Sequence, residues 1–192
     1  MTAPGTGAQA PWAARFVRRA RAADAGDVAR VQVACWHHAY AGIVPDRLLG
    51  QLTGGEAESV WRDRWRAAIT SPPTSRHRVF VAVDDGQVAG FASAGPATDA
   101  DRWPGTDGEI YELVVAPDRT RQGHGSRLLH AVADTAAEDG FGSLSIWVLQ
   151  AAQALRRFLE SAGWAADGAT GELDVGVSVP VVRLHTAISQ PG

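Results

Sequence analysis

Gly123-His124-Gly125-Ser126 follows an apolar run with strand character, Glu109 to Val115, and a basic turn, and it opens an amphipathic segment with helical spacing. A helix start leaves unpaired backbone N–H groups and carries partial positive charge, so glycines there let a phosphorylated ligand reach the main chain. The stretch Arg121, Gln122, Gly123, His124, Gly125 and Ser126 therefore predicts an anion cradle, and a pyrophosphate-bearing cofactor is the expected ligand. Spacing alone would not single it out, because Gly5-Thr6-Gly7 and Gly140-Phe141-Gly142 repeat the Gly-x-Gly pattern. The strand-turn-helix context does.

Two nucleotide-binding folds that use such a turn fit poorly. A P-loop needs a lysine on the phosphates, yet all 18 basic residues are arginine. A Rossmann fingerprint needs a third glycine where this chain has Leu128. The run Val115-Ala116-Pro117, then Arg121-Gln122-Gly123-His124-Gly125-Ser126-Arg127-Leu128-Leu129, resembles the cofactor loop of the GNAT superfamily of acyl-CoA N-acyltransferases. The likeness extends from about Arg15 to Leu184. It takes in Trp36 to Pro45, which resembles the first-helix segment of bacterial members, and Ser145-Ile146-Trp147-Val148-Leu149 with Arg156 to Trp164.

That resemblance implies an α/β (α+β) GNAT fold. Its central sheet would be mixed and mostly antiparallel, of about six to seven strands, with helices on both faces. It implies acetyl-CoA as co-substrate, with Leu113, Val114 and Val115 pairing with the pantetheine arm where the fourth and fifth strands splay, and Arg121 to Ser126 holding the pyrophosphate. The family's Gln/Arg position before this loop falls on Thr120. The implied chemistry is direct attack of an amine on the thioester, needing a neutral amine, a stabilised oxyanion and a proton for the departing thiolate.

Glu109 and Glu112 lie on the implied fourth strand, and either is a candidate base. Glu109 is favoured because some histone-modifying members carry a catalytic glutamate at the matching position. Three places apart on a strand, the two point to opposite faces unless a bulge intervenes, so one at most is expected to face the amine. The family's acid is a tyrosine on the fourth helix, but the run Ala152 to Trp164 puts Ala152 at its asparagine position and Leu159 at its tyrosine position; Ala152 and Phe158 are the cofactor-side residues of that run. Tyr40 and Tyr111 are the only tyrosines, and either is a substitute acid. Trp36 and Tyr40, four apart on one helix face, wall the acceptor pocket or pack the core. The acceptor is a small-molecule amine or a protein amino group. The alternative is a degenerate domain that holds acyl-CoA as a regulatory ligand without efficient turnover.

Composition sets the frame for these elements. With 192 residues, 45% hydrophobic and 20% charged, the chain suffices for one core. The expected organisation is a flexible tail over residues 1–14, a single domain over 15–186 and a short tail over 187–192. A net charge of −3 with scattered arginines gives no stripe for nucleic acid. No segment approaches the roughly 18 unbroken apolar residues of a membrane span. Adjacent His37 and His38 point different ways around a helix, so no metal site is expected. Cys35 is the single cysteine, read as a small core residue in a reducing cytoplasm. Absent lysine and abundant alanine and arginine suggest a GC-rich bacterial source. Exposed strand edges or the last strands offer a route to a homodimer.

Helical spacing is expected from Asp24 through Val28, Val31, Cys35 and Trp36, and again through Trp61, Trp65, Ala68 and Ile69 up to Ser71-Pro72-Pro73. Val79 to Val83 and Val88 to Ser93 flank Asp84-Asp85-Gly86-Gln87 as a hairpin. The cofactor helix is expected over Gly123 to Glu138, a strand over Ser143 to Leu149, and final strands over Gly171 to Val177 and Val181 to His185.

Overall fold

The computed structural model describes residues 15–188, so the tail expected over residues 1–14 and most of that expected at the C-terminus lie outside the described residues. The chain order is β1 (Phe16–Arg19), α1 (Ala25–Tyr40), α2 (Asp46–Thr53), α3 (Gly55–Thr70), β2 (Arg78–Asp84), β3 (Gln87–Pro96) and β4 (Asp107–Val115). There follow α4 (His124–Glu138), β5 (Ser143–Leu149), α5 (Gln153–Ser161), β6 (Ala165–Asp174) and β7 (Ser178–Ala187). Among the described residues these strands form one seven-stranded sheet in the order β1-β2-β3-β4-β5-β7-β6. Only β4 and β5 pair in parallel. The mixed, mostly antiparallel sheet with helices on both faces is the expected fold.

Both faces of the central strands are buried, which is why they read as continuous apolar runs rather than alternations. In β2, Phe80 and Ala82 face α4 and join Leu128, Val132, Ile110, Leu144 and Leu184 in the main core. Val81 and Val83 face the other way, onto Val28, Val31 and Trp65 of α1 and α3, with Phe91 of β3. Tyr40, Val44, Leu49 and Val179 make a smaller cluster under α2 and the β6–β7 turn. The β2–β3 hairpin turns at Asp85 and Gly86 with φ of 50° and 78°, the left-handed pair that matches strand twist.

Three local expectations change. Helix α2 was not foreseen: it is short, has Gly50 in its middle and buries only Leu49. Asp24 stands where it would cap α1, but its carboxylate takes the Arg21 N–H at 2.6 Å and both ends of the Arg18 guanidinium instead. The final strands form a longer hairpin than expected, with Asp174 opposite Ser178. Val175 and Val177 lie in its turn and pack against the cluster of Tyr40, Val44, Leu49 and Val179, and β7 runs on through Ala187, which the sequence reading places in the tail.

Leu128 is fully buried where α4 crosses the sheet. Leu128→Ala is expected to cost about 2–5 kcal/mol through lost transfer energy and a residual cavity, lowering the melting temperature by roughly 5–15 °C in scanning calorimetry. A change within two degrees would mean that this face repacks freely.

Candidate functional site

The parallel β4–β5 ladder runs only from Asp107↔Ser143 to Ile110↔Ile146. Beyond it β4 continues to Val115 against β3, while β5 continues to Leu149 against β7. The two strands therefore part at Ile110, and Leu113, Val114 and Val115 lie on the β4 side of the gap. At its end the chain turns through a short 3-10 segment, Pro117–Arg119, into α4. Gly123 is the N-cap of α4 at φ 81°, a left-handed conformation that glycine adopts without strain, and it has no side chain to cap the amides that follow. Arg127 N–H is bonded to Gly123 C=O, so the helix-start amides of His124, Gly125 and Ser126 precede the first intrahelical bond. Gly125 faces Phe158 of α5, where an added Cβ would lie 3.5 Å from the ring. Arg121, Ser126 and Arg127 are exposed around this turn, Arg127 donating to the Gln122 carbonyl at 3.2 Å. Gln122 itself reaches back to the Asp118 carbonyl at 3.4 Å.

The side chain of His124 turns away from the helix-start amides, leaving its backbone N–H among them. Its side chain is 1% exposed and points beneath the loop, with Nε2 3.4 Å from Asp84 Oδ2. Burial lowers its pKa, the Asp84 charge opposing. Only the backbone of His124 remains for an anion. Asp84 also takes Arg15 Nε at 3.1 Å and Arg119 Nη1 at 3.4 Å. Burial opposes its ionisation, but these cations outweigh that and lower its pKa.

The two glutamates do not lie on opposite faces. Ile110 pairs with Ala94 and Glu112 with Ser93, so Tyr111 is an extra residue in β4 and this bulge restores a common face. Ile110, Leu113 and Val115 pack in the α4 core, while Val114 packs with α1 and α3. Glu112 turns toward α1, where Gln32 Nε2 donates to it at 3.3 Å, and Gln32 Oε1 accepts the Trp65 indole N–H at 2.7 Å. Burial pushes the Glu112 pKa up to about 7, with the Gln32 donation opposing. Glu109 is engaged differently, for its Oε2 takes both the N–H of Thr98 at 2.9 Å and its hydroxyl at 2.7 Å.

The aromatic candidates are held by neighbours. Tyr111 donates its hydroxyl to the Pro96 carbonyl at 2.6 Å and stacks on His77, and burial, then the Glu109 charge, pushes its pKa up to about 12. Tyr40 is buried in the cluster under α2, which makes it core, and burial followed by the Glu112 charge pushes it to about 12. Trp36 is half-buried, edge-on to Tyr40 at 5.9 Å and to Trp61 at 4.9 Å. Cys35 donates to the Val115 carbonyl at 3.1 Å and burial raises it to about 12, so it stays a thiol. Leu159 lies wholly inside the main core, and Ala152 is the N-cap of α5. Neither position offers a proton donor.

Sequence reasoning missed Gln32, Asp84 and Thr98. Gln32 was legible as a polar break in the Val28-Val31-Cys35 stripe; Asp84 looked like a turn residue and Thr98 like a loop residue. Among the described residues no group of three His, Cys, Asp or Glu is arranged to hold a metal ion, and no helix is long and apolar enough to cross a membrane.

The sequence profile of the acetyltransferase (GNAT) family matches residues 47–164. YuaI of Bacillus subtilis (strain 168), an uncharacterized N-acetyltransferase, is 37% identical over 135 residues, 70% of this chain and 71% of its own. Among solved structures, yncA of Salmonella typhimurium, determined with its cofactor acetyl-CoA, has a TM-score of 0.68 at 20% identity, over 93% of this chain and 96% of that one. The PaiA N-acetyltransferase of Thermoplasma acidophilum, in complex with coenzyme A, gives 0.67 at 15% identity over 88% and 98%. At such identities these two likenesses speak for the fold.

Glu112 has a stability signature. Its folded pKa of about 7 lies above the ordinary value of 4.5, so between the two the folded state holds a proton that the unfolded chain has released, and stability falls as pH rises through that window. Glu112→Gln removes the titration. Its melting temperature relative to wild type is expected to rise between about pH 4 and pH 8, by roughly 5–10 °C. A gap that is constant with pH, measured by calorimetry, would place the Glu112 pKa outside that window.

Proposed function

The chain belongs to the acetyltransferase (GNAT) family, in which acetyl-CoA-dependent acetyl transfer is general, and on that premise we propose that it moves an acetyl group from acetyl-CoA to an amine. The observation that carries this reading is the parting of β4 from β5 at Ile110, with the α4 start at one end of the opened strand and Glu112 along it. Backbone groups at Leu113, Val114 and Val115 are suited to pair with an extended pantetheine arm as an added strand would. The N–H groups of Gly123 to Ser126 suit the pyrophosphate. The acceptor is a small-molecule amine or a protein amino group.

In this scheme the amine nitrogen attacks the thioester carbon in a ternary complex, a C–N bond forms, and the C–S bond breaks as the thiolate leaves. Glu112, directly or through a water, takes the amine proton, because its pKa near neutrality suits a general base. Glu109 is the lesser candidate, since Thr98 occupies its carboxylate. β4 backbone N–H groups in the gap stabilise the oxyanion. No acid at position 159 is required: a thiol of pKa about 8.5, the cysteine value, departs tolerably as thiolate. Leu159 and Ala152 favour one competing reading, a domain that keeps acyl-CoA as a regulatory ligand without efficient turnover.

The two separate in one preparation, by calorimetric binding of acetyl-CoA and thiol release across a panel of amines. Tight binding with amine-dependent release is expected, and Gly123→Asp, which strains a φ of 81° and sets a charge against phosphate, abolishes binding. Glu112→Gln is expected to lower kcat about 10²- to 10³-fold and to erase the rise of rate through about pH 7, while Glu109→Gln stays within about tenfold of wild type. Binding with no release for any amine favours the ligand reading. No binding removes both.

A further inference from the structure

Asp84, the last residue of β2, is a buried carboxylate, its side chain 3% exposed, on which three elements converge. Arg15 approaches from the start of β1, Arg119 from the 3-10 turn after β4, and His124 from the first residue of α4. Arg119 and His124 bracket the segment Thr120 to Gly123: Arg119 Nη1 donates to Asp84 Oδ2 at 3.4 Å, and the buried His124 Nε2 lies 3.4 Å from the same oxygen, so a single carboxylate meets both ends of the turn that opens α4. The turn itself is held by little else: Thr120 bonds the Pro117 carbonyl at 3.1 Å, and the Gln122 and Arg127 contacts lie at its exposed surface. Arg121 within it has a φ of 61°, outside the range a non-glycine residue prefers, so this shape must be imposed by its surroundings.

A carboxylate beneath an anion site has two opposed effects. Its charge repels an incoming phosphate. Its grip on Arg119 and His124 pre-organises the amides that receive that phosphate. We propose that the second effect dominates, and that Asp84 is the positioning residue that holds the Arg121–Ser126 cradle in its pyrophosphate-binding shape. This rests on the acetyl-CoA reading above. Arg15, 43% exposed at its side chain, offsets part of the charge of Asp84 through its Nε at 3.1 Å.

The two effects give opposite signs in one substitution. Asp84→Asn keeps size and removes charge; if repulsion governed, acetyl-CoA would bind more tightly, whereas the positioning role makes it bind about tenfold more weakly. S-Acetylpantetheine, which ends before the pyrophosphate, should bind wild type and variant within twofold of each other. Calorimetric affinities for both donors, on protein shown by thermal melting to be folded, decide between them. Unchanged or tightened acetyl-CoA binding, or an equal loss for both donors, overturns the proposal. If Asp84→Asn shows no melting transition, Arg119→Lys carries the test. It keeps the charge and loses the planar guanidinium, so about a threefold loss confined to acetyl-CoA is expected, and none overturns the proposal. A wild type that binds no acetyl-CoA overturns the transferase reading and this inference together; a wild type that binds, with indifferent variants, overturns this inference alone.

Discussion

Pairing between β4 and β5 ends at Ile110 and Ile146, and the whole candidate site depends on its ending there. Had the ladder continued in register, Tyr111 to Leu113 would have met Trp147 to Leu149, closing most of the β4 backbone that now lies open. Three features hold the strands apart. The bulge at Tyr111 bends β4 and increases its twist. Helix α1 grips the free half of β4 through Cys35 on the Val115 carbonyl and Gln32 on Glu112. On the other side, β5 is committed to β7 along its full length.

The closed end of the gap is bridged by the loop between β3 and β4. Thr98 bonds Glu109 on β4, and the neighbouring Asp99 accepts the Trp147 indole N–H on β5 and one arm of Arg183 on β7. Arg183 is 4% exposed and donates to Asp99, Asp101 and Asp167. Donation to Asp101 leads in raising its pKa further, burial opposing, with Asp99 and Asp167 adding to the rise. A buried cation left with one carboxylate fewer would be costly, so such a cluster secures geometry more than net stability. It also accounts for an irregular register: β6 loops out between Ala166↔Leu184 and Thr170↔Val182, and Asp167 in that loop reaches Arg183 and Arg102.

What could be read from the chain was what neighbours in sequence decide. Asp84-Asp85-Gly86-Gln87 dictates its own hairpin, and glycines after a strand announce the α4 start, because turn and cap chemistry are local. The β4 bulge was hidden, since a bulge is defined by the partner strand, and with it went the relative facing of Glu109 and Glu112. His124 and Asp84 looked like a loop residue and a turn residue, and only the fold brings positions 84 and 124 within 3.4 Å. Helix α2 escaped because eight residues with a central glycine carry too little periodic signal.

On the proposed scheme, the same burial that prepares Glu112 also limits what it can accept. Tyr40 and Cys35 beside it are held protonated, with pKa values of about 12, so near neutrality Glu112 is the group among the three that exchanges its proton. A base of pKa about 7 meets an α-amino group of pKa about 8 with a mismatch worth about 1 kcal/mol, but a lysine-like amine of about 10.4 with one worth about 5 kcal/mol. With Leu159 sealed in the core, no acid at that position offsets the difference by assisting departure of the thiolate. On that scheme acceptance turns on how readily the amine loses its proton at the Glu112 carboxylate, so the packing of α1 against β4, which sets the surroundings of that carboxylate, bears on which amines the scheme can serve.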